Sequence, residues 1–171
     1  MSKLVWKNIL RLVVLMLAQL LVFNYVYLGS YIMPMIYVIF ILMLPTGMKR
    51  IPLLLLAFAT GLIYDISTGV LGFHALACTV LAMERILFAD RILTRGEPIV
   101  VERPTIYTAT PQYFVSYLLL MYASFYLVLF VTELFGSRGF GDVLLATILS
   151  SLVSTILAVL YQWIFIKKEE S

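Results

Sequence analysis

The feature that most restricts this chain is the pair of apolar runs that closes it, residues 113–135 and 142–166, each about twice the usual length of a soluble helix. Across both runs and the break between them there are only three charged residues, Glu133, Arg138 and Asp142. About 20 apolar residues carry a helix across a hydrocarbon core of about 30 Å, so both runs predict transmembrane helices. The pattern continues toward the N-terminus. The chain is 63% apolar and 12% charged, where a soluble domain has about 45–50% and about 25%. A globule of 171 residues could not hide that much apolar surface from water. The expectation is an all-α integral membrane protein, one domain over 1–171, folded as a six-transmembrane-helix bundle. Its spans are residues 8–28, 31–44, 51–65, 73–88, 113–135 and 142–166, with a polar cytoplasmic loop at 89–112. The spans 31–44 and 51–65 are short, and would rely on local thinning of the bilayer or burial in the bundle.

Charge placement tests that count. Cytoplasmic loops collect Lys and Arg. With six spans and the N-terminus inside, the cytoplasmic segments hold Lys3, Lys7, Arg11, Lys49, Arg50, Arg85, Arg91, Arg95, Arg103, Lys167 and Lys168, leaving Arg138 alone outside. Adding or removing one span would strand Lys167 and Lys168, or the loop arginines, on the wrong side. Both termini are therefore expected in the cytoplasm. The basic start followed by residues 12–23 resembles a signal sequence, but residues 24–28 lack a small-residue cleavage site, so an uncleaved first helix is expected.

Several function classes fall away. The basic residues are scattered among apolar runs instead of forming one stripe, which argues against nucleic acid. The single cysteine, Cys78, permits no internal disulfide and no CxxC motif. One histidine without a usable thiol cannot build a tetrahedral zinc site. Asp65, Ser67 and His74 invite a hydrolase reading, yet three residues on one short turn rarely converge as a triad, and no G-x-S-x-G accompanies them. An aspartyl dyad would need a second membrane-embedded carboxyl. The nearest, Asp142, stands at a helix start, where an N-cap role explains it. No catalytic residue, metal or cofactor is expected.

The stretch Gly61–Leu–Ile–Tyr–Asp65–Ile–Ser67–Thr68–Gly69–Val–Leu–Gly72–Phe–His74 reads as a tight extracytoplasmic turn. Gly69 and Gly72 allow left-handed backbone and close helix approach, Ser67 or Thr68 could cap the following helix, and Asp65 and His74 could hydrogen-bond across it. Ionisable groups near membrane depth tend to be functional. Asn24, Asp65, His74 and Glu133, with Gln19 deeper, therefore form the candidate partner or ligand site if the bundle gathers them. Small residues let membrane helices pack closely. Ala146, Ser150, Ser154 and Ala158 make such a stripe at four-residue spacing, Ala57 and Gly61 a shorter one, and Tyr122, Tyr126 and Phe130 an aromatic ridge. Glu84 and Arg85 are expected to snorkel at the cytoplasmic interface, and loop 89–112 to meet anionic lipid or a cytoplasmic partner.

The residues from Gly61 to Leu76 resemble the signature region of the MreD family of bacterial rod shape-determining proteins, which pairs Gly-Leu and Asp before a turn with Leu-Gly-hydrophobic-His-Ala after it. Length, the basic N-terminus and the charged loop before two closing helices are similar too; the proline many members carry in the turn is missing. The matching positions are Gly61, Asp65, Gly72 and His74. The resemblance implies a non-enzymatic component of the cell-elongation machinery in the inner membrane. It would pair with a MreC-like bitopic protein and, through it, with MreB and peptidoglycan synthases. The family also resembles the substrate-binding subunits of energy-coupling-factor transporters, which implies the alternative of a solute-binding subunit of a vitamin-type transporter. Few polar residues are available to hold such a ligand.

Overall fold

A computed structural model describes residues 2–26, 29, 31–45, 48–70, 72–93, 105, 111–133 and 139–165. Helix α1 spans Ser2–Leu21 and relaxes into a 3-10 turn at Phe23–Tyr25. A five-residue helix α2, Val38–Leu42, follows, then α3 over Arg50–Thr68, α4 over Phe73–Leu93, α5 over Pro111–Glu133 and α6 over Phe140–Phe165. No strand occurs among the described residues. Helices α3 to α6 pack each on the next, while α1 meets the irregular chain that follows it.

Among the described residues, four helical stretches are long and apolar enough to cross a membrane: Asn8–Tyr25, Arg50–Thr68, Pro111–Thr132 and Phe140–Phe165. The way their faces are used makes the same point. On α6 the buried side is Val143, Ala146, Thr147, Ser150, Ser151, Ser154, Thr155, Ala158 and Gln162. Its exposed side carries Leu144, Ile148, Leu152, Ile156 and Leu160. A soluble helix buries its large apolar face and wets its polar one; here the order is inverted, as lipid requires. This is a multi-pass membrane protein.

The largest departure from the sequence reading is residues 31–44. In place of a helix, the chain runs irregularly until α2, and Met35 to Leu44 are all buried at the centre of the bundle. Pro34 brings no N–H and biases Met33 away from helical backbone. Unpaired backbone is tolerated at membrane depth only where protein surrounds and satisfies it, and neighbouring side chains do so here. The Met33 N–H donates to Ser150 Oγ (3.1 Å) and the Met35 N–H to Ser154 Oγ (3.2 Å). Tyr126 donates to Met33 O (2.6 Å) and Tyr122 to Met35 O (3.3 Å). Gln19 accepts from the Ile36 N–H (2.7 Å) and donates to Pro34 O (3.1 Å).

The pairing also gives the pitch. Ser150 and Ser154 lie one helical turn apart, about 6 Å. Two residues of the central segment cover that distance, so it rises about 3 Å per residue, as extended chain does.

Other corrections concern ends. Helix α3 continues to Thr68, which puts Asp65 inside its last turn. Arg85 is 3% exposed, not snorkelled, and donates to Leu44 O just beyond α2, where a short helix leaves carbonyls without partners. Asp142 stands within the first turn of α6 instead of preceding it, and accepts from Tyr31 OH at 3.2 Å. Helix α4 extends to Leu93 and α5 starts at Pro111, both inside the expected loop 89–112; the remainder of that loop, Thr105 apart, lies outside the described residues, as do Lys167 and Lys168.

Candidate functional site

The site begins with how α3 ends. Gly69 adopts φ 72°, and the N–H groups of Gly69 and Val70 return to Asp65 O, a left-handed cap that only glycine enters cheaply. Two residues on, Gly72 (φ 78°) turns the chain into α4, leaving the start of that helix without a capping side chain of its own. Asp65 supplies one from the neighbouring helix. Its Oδ1 accepts the His74 N–H (3.2 Å) and its Oδ2 the Ala75 N–H (2.9 Å), which sets a carboxylate against the positive end of α4. Ser67 and Thr68, expected to cap α4, bond back instead to Ile63 O and Tyr64 O within α3.

His74 completes the arrangement. Its Nδ1 lies 2.8 Å from Asp65 Oδ1. Both carboxylate oxygens already accept backbone N–H groups, so the shared proton is assigned to Nδ1, which leaves Nε2 of the neutral ring as an acceptor. Nε2 is buried and has no hydrogen-bond partner among the described residues. Tyr64 packs edge-on against the imidazole at 4.6 Å and stacks on Tyr37 at 4.8 Å. Asp65 is 1% exposed and His74 5%.

Close approach of the two helices depends on Gly61. A Cβ there would lie 2.5 Å from His74 O and 2.6 Å from Ala75 Cα, distances that real side chains do not reach. Gly61, Gly69 and Gly72 thus divide the labour: one for contact, two for the turn.

Of the expected patch, the bundle gathers Gln19, Asn24, Asp65 and His74. The link is Tyr64, whose hydroxyl donates to Asn24 Oδ1 at 2.9 Å while its ring faces His74. Gln19 Nε2 also donates to Asn24 Oδ1 at 3.1 Å. The Glu133 side chain lies outside the described residues. Tyr64 carries no signal in the sequence that separates it from the other ten tyrosines.

Chemically the cluster is a clamp. Asp65 has three donors, its partners belong to the adjacent helix, and no group of three or more potential metal ligands occurs among the described residues. Ala146, Ser150, Ser154 and Ala158 are all buried on one face of α6, and two of the four hold the central segment as well as packing against it. No family model, no curated protein and no solved structure matches the chain.

Proposed function

We propose that the chain is a non-enzymatic scaffold of the bacterial inner membrane, acting in the rod shape-determining complex through contacts with other proteins. In this reading a MreC-like bitopic protein is its direct partner, and MreB and peptidoglycan synthases are reached through that partner. The observation that carries the reading is the use made of the motif residues. Gly61, Asp65, Gly72 and His74, the positions that resemble the family pattern, all serve to lock α3 onto α4. Asp65 accepts three hydrogen bonds, all from α4, as a carboxylate that holds two helices together does.

Six crossings suit the same reading. Helix α4, 21 residues long, reaches about 31 Å, although Glu84, Arg85, Asp90 and Arg91 make it the most charged of the long helices. Residues 31–44 would reach only about 21 Å as a helix, but half extended and half helical they reach about 30 Å. Both termini then lie with the cations on the cytoplasmic side.

Depleting the protein from a rod-shaped host should produce round cells, and a detergent pull-down should recover a bitopic partner. Normal cell shape together with a copurifying small molecule would replace this reading with the transporter subunit.

A further inference from the structure

A groove crosses the middle of α5. Leu120, Ala123, Ser124 and Leu127 form its floor, Glu84 of α4 and Thr147 of α6 stand on its sides, and its volume is about 590 Å³. Ser124 lies near the midpoint of the apolar run Pro111–Thr132, and Glu84 lies about 16 Å along α4 from Phe73. Both therefore sit near the centre of a hydrocarbon core of about 30 Å.

Among the described residues, two polar groups there lack partners. Glu84 is half-buried and has no hydrogen bond or ion pair among the described residues. Thr147 is 5% exposed, and its Oγ1 has none either. A carboxyl facing acyl chains at that depth is expensive, and such groups mark a contact with something polar. The small floor residues Ala123 and Ser124, with leucines one turn to either side, allow a helix backbone to approach closely.

We infer that this groove receives one transmembrane helix of another protein, carrying a lysine or arginine at mid-span that pairs with Glu84. A lipid headgroup cannot reach that depth. A second copy of the chain is poorly matched: among the described residues Arg85 is buried, and Arg11 and Arg50 stand near the ends of their spans. The inference rests on the scaffold reading only in requiring a membrane partner.

The test uses the full chain in phosphatidylcholine vesicles with Ala123→Cys in the groove floor; the native Cys78 is fully buried. The probe is a Leu-rich peptide of about 22 residues with one central lysine and a cysteine one turn away, and the control has leucine in place of that lysine. With copper–phenanthroline as oxidant, the lysine probe should be captured about 5–10-fold more than the control. Glu84→Gln should remove that advantage without altering elution of the purified protein. Equal capture of both peptides would mean an ordinary lipid-facing surface and overturn the inference. So would an advantage that survives Glu84→Gln, or disulfide-linked dimers of the Ala123→Cys chain that form in preference to probe adducts. In cells, a Glu84→Gln chain that still recovers its partner undiminished would overturn the groove and leave the scaffold standing. Round-cell depletion failing to appear would overturn the scaffold whatever the peptides do.

Discussion

At the scale of single residues, the Asp65 carboxylate does the work of a capping side chain that Gly72 cannot supply. Asp65→Asn keeps the shape but turns one acceptor into a donor aimed at N–H groups. It should cost about 1–3 kcal/mol, read as a lower thermal midpoint in detergent, and Asp65→Glu should not restore it because the α3–α4 spacing is fixed by Gly61. Gly61→Ala forces a methyl into the His74–Ala75 backbone and should destabilise by about 1–3 kcal/mol. Gly139→Ala, where the nearest neighbour is a side-chain oxygen 3.4 Å away, should cost far less in the same assay. The motif residues could be read from the sequence because glycines and a lone Asp–His pair stand out in an apolar chain. Their assignment to roles could not. A serine in a helix can bond to its own preceding turn as readily as cap the next helix, and only the length of α3 decides that Ser67 and Thr68 do the former.

At the scale of elements, the central segment explains side chains that spacing alone assigns to packing. Ser150 and Ser154 were legible as a small-residue stripe, and Tyr122 and Tyr126 as a ridge. Their hydroxyls bond to backbone 87–119 residues away in sequence, and no local pattern encodes that. The apolar content of residues 31–44 favours a helix locally; what overrides it is a set of hydroxyls and one amide, Gln19, that replace the helical ladder. Tyr126→Phe and Ser154→Ala should each cost about 0.6–1.5 kcal/mol. Both hydroxyls serve the Met35 N–H and lie 2.6 Å from each other, so the double variant should depart from additivity. Amide exchange at Met35 reports the loss directly: it should accelerate most in the double variant, while exchange within α3 stays unchanged. Uniform acceleration across the bundle would mean instead that the two side chains support global packing.

At the scale of the whole molecule, the parity of crossings fixes where every face points, and that parity turns on residues 31–45. If the segment traverses the bilayer, Tyr31 near Asp142 and Lys49 before α3 lie on opposite sides. If it dips in and returns, the count falls to five, α3 through α6 invert, and Lys49, Arg50, the loop arginines and Lys167 and Lys168 all part from Lys3, Lys7 and Arg11. Tyr31 is exposed beside the start of α6, whereas Leu44 is tied to Arg85, eight residues from the end of α4. Introduced cysteines distinguish the two cases, because the native Cys78 is fully buried. An impermeant maleimide added to intact spheroplasts should label Tyr31→Cys and Gly139→Cys. Lys49→Cys should react only after the membrane is opened. Labelling of Lys49→Cys from outside would make the segment re-entrant and invert α3 through α6. The groove beside Glu84 would keep its depth, since depth does not depend on direction, but the Asp65–His74 clamp would move to the cytoplasmic face.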